Sequence, residues 1–133
     1  MTKEQAIDIA VEWWAGKLSA KAPHRNGDNA FASVLACLLA DDGMEDTNGK
    51  QLGIFKSELK ARIESEMDNR WREVYLGVDY NPSPNLREAA KKADISEFNF
   101  PYKTDLYIKW DNDGEYSVYV HDGYRSPREF LSV

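Results

Sequence analysis

Between Glu73 and His121, three segments alternate apolar and polar residues with a period of two. That period marks a β-strand with one buried face, because successive side chains point to opposite sides. In the segment from Trp71 to Tyr80, the apolar side holds Val74, Leu76 and Val78. In the next it holds Leu106, Ile108 and Trp110, and in the third Tyr116, Val118 and Val120. All of these are even-numbered. The odd side carries Glu73, Tyr75, Gly77 and Asp79, then Asp105, Tyr107 and Lys109, then Glu115, Ser117, Tyr119 and His121. Between the second and third segments, Asp111-Asn112-Asp113-Gly114 is a turn sequence that accepts positive φ, so the pair reads as a hairpin.

The upstream half changes period. From Thr2 to about Ala20, Ile7, Ala10, Val11, Trp14 and Leu18 recur at helical spacing, and Thr2 with Gln5 forms a capping-box pattern. Ala22-Pro23 ends that helix. A second helix is expected from about Asn29 to Ala40, capped by Asp28 and carrying Phe31, Val34, Leu35, Leu38 and Leu39. Asp41 to Gly49 reads as an acidic loop. A third helix follows from about Lys50 to Asn69, with the stripe Leu52, Phe55, Leu59, Ile63 and Met67 and a Glu58–Arg62 pair. Ser83 and Pro84 open a short helix to about Ala93, and Ser126-Pro127 reads as the start of a final helical turn.

Helices and strands segregate along the chain, which predicts an α+β fold. The expected order is α-α-α-β-α-β-β, with an N-terminal three-helix layer on a small three-stranded sheet that ends in a hairpin. The 133 residues fit a single domain, 1–133.

The net charge of −6 argues against general nucleic-acid binding, which rests on Lys and Arg displacing phosphate counterions. It suits docking on a basic partner surface. No stretch approaches the roughly 20 apolar residues of a membrane span, and the start carries no apolar signal region. The single cysteine, Cys37, lies in an apolar run and reads as a small buried hydrophobe. A cytoplasmic protein is expected, with no metal or cofactor.

Function candidates follow from the odd side of the strands. Tyr75, Tyr107 and Tyr119 place one tyrosine per strand there, and tyrosine is enriched at binding surfaces. Tyrosine also favours strands for structural reasons alone. Glu73, Asp79, Asp105 and Glu115 rim the same face with carboxylates. Asp41, Asp42, Glu45 and Asp46 form a second acidic group, able to mimic phosphates toward a basic partner and equally at home in a solvated loop. Lys17, Lys21, His24 and Arg25 are an alternative ligand-binding group for an anionic nucleotide. His24 with Asp28 is the candidate base and orienting carboxylate of an enzymatic alternative. No phosphate-cradling glycine motif, nucleophile elbow or metal spacing is present in the sequence.

Asn26-Gly27-Asp28-Asn29-Ala30-Phe31 and Asn99-Phe100-Pro101-Tyr102-Lys103-Thr104 resemble segments of small phage and prophage proteins. Size, acidity and a single domain also resemble phage anti-defence proteins, including anti-CRISPR inhibitors. That resemblance implies a host protein as partner, for instance a nuclease, or a sequestered nucleotide; it carries over no catalytic residue. The leading expectation is a non-enzymatic inhibitor that docks its carboxylates and tyrosines on a basic host surface.

Overall fold

The computed structural model describes residues 1–19, 44–69, 72–123 and 125–132. Helix α1 spans Lys3–Ser19 and buries Ile7, Ala10, Val11, Trp14 and Leu18. Its start is the expected capping box. The Gln5 amide donates to Thr2 Oγ1 at 3.2 Å, and the Thr2 amide donates to Gln5 Oε1 at 2.9 Å. The helix expected over 29–40 lies outside the described residues.

Helix α2 spans Met44–Asn69. The acidic loop expected up to Gly49 is therefore corrected from Met44 onward. Acidic residues suit a first turn, where the helix dipole is positive, and this favours the earlier start. Of the expected stripe, Phe55, Leu59, Ile63 and Met67 are buried, and Leu52 is only partly buried against the core. The helices α1 and α2 run antiparallel, joined on their outer sides by Lys3–Asp68, Lys60–Asp8 and Lys56–Glu12 pairs at 3.9, 3.5 and 3.1 Å. Such exposed pairs each contribute well under about 1 kcal/mol; the buried stripes hold the helices together.

Four strands follow: β1 Glu73–Val78, β2 Thr104–Trp110, β3 Tyr116–Asp122 and β4 Glu129–Leu131. They form one antiparallel sheet in the order β1-β2-β3-β4. The fold is α+β, but the expected three-stranded sheet is corrected to four strands. The segment after Ser126-Pro127 is not a helical turn. Its three residues pair with β3, setting Val118 against Leu131 and Tyr119 against Phe130. Between β1 and β2 lie helix α3, Pro84–Lys92, and a short 3₁₀ turn, Glu97–Asn99.

Ser83 does not cap α3 with its side chain. Instead Ser83 closes a loop onto β1: its Oγ accepts from the Gly77 amide at 3.3 Å, and its amide donates to the Gly77 carbonyl at 2.8 Å. This occupies part of the β1 edge. The β2–β3 hairpin turns at Asp111–Glu115. Asp111 Oδ1 accepts the amides of Asp113 and Glu115, and Gly114 takes φ +78°, where a side chain would be strained.

In β1, β2 and β3 the even-numbered residues of the core face the three described helices, and in β4 Leu131 does. Val74, Leu76, Leu106, Ile108, Val118 and Val120 are buried together with Trp14, Phe55, Leu59, Ile63 and Leu86. Phe100, from the turn before β2, wedges between Trp14 and Phe55 with ring centroids 5.8 and 6.0 Å away. Trp110 and Tyr116, expected in the core, stand half-buried at its margin and stack on each other across the hairpin at 5.4 Å. All helices that contact the sheet use its even side, so the odd side is left without a helix among the described residues.

Candidate protein-docking face

The strand register decides what the odd side displays. Tyr75 pairs with Tyr107, Tyr107 with Tyr119, and Tyr119 with Phe130. Directly opposed residues on one face stand close enough for ring contact. The rings accordingly form a row across the whole sheet. Centroids are 5.1 Å apart for Tyr75–Tyr107, 4.9 Å for the stacked Tyr107–Tyr119 pair and 5.6 Å for Tyr119–Phe130. His121, one register step along, sets its edge against Tyr107 and Tyr119 at 6.5 and 6.2 Å. Its Nδ1 donates to the Ser126 carbonyl at 3.1 Å, which ties the β3–β4 connection to the face.

Exposure along the row is uneven. Phe130 is 62 % exposed and Tyr75 38 %, whereas Tyr119 is only 5 % exposed. Tyr119 was expected to offer contact area; instead its neighbours cover it. The Arg128 guanidinium lies 4.5 Å from its ring centroid and Lys109 Nζ 5.4 Å. These cation–π contacts, with Phe130 and Tyr107 on either side, make Tyr119 the packed centre of the row. The two ends of the row remain open.

Tyr75 reaches across the sheet and donates its hydroxyl to Asp105 Oδ1 at 2.6 Å. Burial, then this carboxylate, pushes the Tyr75 hydroxyl well above the usual tyrosine range. Tyr107 is raised too, first by burial and then by Asp105. Gly77 stands opposite Asp105 and has no side chain to block the Tyr75 ring.

Each carboxylate expected to rim the face has a partner within the chain. Glu73 faces Lys109 at 3.9 Å, Asp79 binds Lys103, Asp105 accepts from Tyr75, and Glu115 binds the Met1 ammonium. The face therefore presents aromatic area with locally balanced charge. Asp41 and Asp42 lie outside the described residues. Glu45 and Asp46 fall at the start of α2, within its first turn.

The basic group expected for an anionic ligand is represented only by Lys17. Its Nζ binds Asp122 Oδ2 at 2.5 Å and lies 5.0 Å from the Trp13 ring centroid. Lys21, His24 and Arg25 lie outside the described residues, as does Asp28 of the His24/Asp28 pair. Among the described residues, no three His, Cys, Asp or Glu side chains gather as a metal site, and no helix is long and apolar enough to cross a membrane.

Phe130 and Arg128 were missed as parts of this face, and Gly77, placed on it by parity, was not given its role of making room for Tyr75. A three-residue strand is too short to show a period, and the part played by Gly77 follows only from its register against Asp105. No family model and no curated protein matches the chain, so the functional reading rests on this face and on its charge.

Proposed function

We propose that this protein is a non-enzymatic binding protein that docks on another protein through the outer face of its sheet. The observation that carries the reading is the four-ring row Tyr75–Tyr107–Tyr119–Phe130, open at both ends on the side away from the described helices. Rigid aromatic side chains supply large contact area at low conformational cost, and exposed clusters of them mark interaction surfaces.

The partner is a basic host protein that handles nucleic acid, such as a nuclease, and the effect of docking is inhibition in the host cytosol. Two things support that choice. The net charge of −6 speeds association with a basic surface, and size and acidity are like those of phage anti-defence proteins. The aromatic row supplies the contact, and the acidic surface as a whole supplies the steering.

The test is capture from host lysate with the wild-type protein and a Tyr75→Ser/Phe130→Ser variant, at about 50 and about 500 mM salt. A basic protein retained by the wild type, lost by the variant and released at high salt supports the reading. Equal retention by the variant overturns it.

A further inference from the structure

A second pair of aromatics stands apart from the row, at the end of the sheet where β1 leaves and β2 enters. Tyr80 is 78 % exposed and Tyr102 55 % exposed, and their ring centroids lie 5.8 Å apart at 57°. They flank a cleft of about 200 Å³. Val78, Pro82 and Phe100 contribute apolar surface to it, and Asn81 and Glu97, an exposed carboxylate, complete the lining. The chain conformation holds the cleft in place. An isolated bridge between Val78 and Pro82 turns the chain back after β1, and the Phe100 amide donates to the Glu97 carbonyl at 3.3 Å.

Apolar surface, two tyrosine rings and one carboxylate describe a receptor for a side chain with an apolar stem and a cationic head. The chain itself displays this chemistry nearby. Lys103 Nζ lies 5.0 Å from the Tyr80 centroid and 5.5 Å from the Tyr102 centroid while binding Asp79. Lys103 itself does not line the cleft.

We propose that the cleft formed by Tyr80, Tyr102, Pro82, Phe100 and Glu97 receives an arginine side chain from the partner protein. Arginine fits better than lysine. Its planar guanidinium stacks on tyrosine and meets a carboxylate through two parallel hydrogen bonds, and it sheds water more easily. An anionic occupant is disfavoured by Glu97 and by the overall charge. The proposal rests on the reading of the protein as a module that docks on a basic surface, and it names the residue type that anchors there.

The test is an NMR titration with N-acetyl-arginine methylamide, using the neutral citrulline analogue of the same shape as control. Saturable shifts of the Tyr80 and Tyr102 ring signals and the Val78 methyls are expected. Binding is expected to be about tenfold weaker for citrulline, corresponding to a cation–π and carboxylate contribution near 1.4 kcal/mol. Tyr80→Leu abolishes the shifts, and Glu97→Gln weakens binding several-fold. Absent shifts, or equal binding of citrulline, overturn the proposal. The Tyr75→Ser/Phe130→Ser variant keeps the titration intact. Loss of a captured partner with normal titration therefore points to the sheet face, whereas failed titration with normal capture removes only the arginine cleft.

Discussion

Tyr75 leans over Gly77: a Cβ at position 77 would stand 2.1 Å from the Tyr75 hydroxyl oxygen and 2.4 Å from Asp105 Oδ1. No real contact is that short. The Tyr75–Asp105 hydrogen bond therefore exists because residue 77 has no side chain. Gly77→Ala is expected to push the Tyr75 ring aside and to cost about 1 kcal/mol through the lost bond, against a small gain from a stiffer unfolded chain. Urea unfolding of the single and double variants checks this. In a Tyr75→Ala background the cost of Gly77→Ala should largely vanish, and an undiminished cost would show that the glycine serves some other purpose.

The same hydroxyls give the protein an alkaline limit. Tyr75 and Tyr107 ionise above the ordinary tyrosine value of 10.0, because burial and the Asp105 carboxylate disfavour their phenolates. Below about pH 10 both are protonated whether the chain is folded or not, so they leave stability level. Above it the unfolded chain gives up these protons more readily, and stability falls as pH rises. Denaturant midpoints measured at about pH 9 and about pH 11 should show the decline, and Tyr75→Phe should make it shallower. Identical slopes in both proteins would remove Tyr75 as a cause.

Phe130→Ser is expected to separate binding from folding. The ring is mostly exposed and lies on a three-residue strand, so stability should change by no more than about 0.5 kcal/mol. Partner affinity should fall at least about tenfold if Phe130 is one of the few dominant contacts. Isothermal calorimetry beside a thermal melt reads both numbers. A large drop in melting temperature would mean that Phe130 holds β4 in place.

Leu59→Ala tests where the mechanical strength of the fold lies. Leu59 is fully buried in the stripe that α2 presents to the core. Removing its isobutyl group should cost about 2–5 kcal/mol, combining lost burial with the cavity left behind. Equilibrium unfolding gives the value, and a cost below about 1 kcal/mol would indicate that the site collapses freely.

Much of this architecture could be read locally. The Thr2–Gln5 capping box, the α2 stripe and the Asp111–Gly114 turn depend on residues a few positions apart, and each stands where its spacing placed it. The parity of the three long strands was legible for the same reason, and it correctly separated Val74, Ile108 and Val118 from Tyr75, Tyr107 and Tyr119. What escaped depends on which distant residues become neighbours. Lys109 neutralises Glu73 and Lys103 neutralises Asp79 only once β1 and β2 are in register. Tyr119 loses its exposure because β4 brings Phe130 and Arg128 beside it, and β4 is too short to announce itself. Ser83, a good cap by residue type, is drawn to the Gly77 amide by the loop that returns to β1.

Because each of the four rings in the row comes from a different strand, the row is an assembled object. Sliding any one strand by a single residue would send its ring to the helix side and leave a gap. A partner that grips the row thus recognises only the completed sheet and ignores nascent or slipped chains. By mass action it must also hold that sheet together, so its grip would register as a higher melting temperature wherever the complex forms.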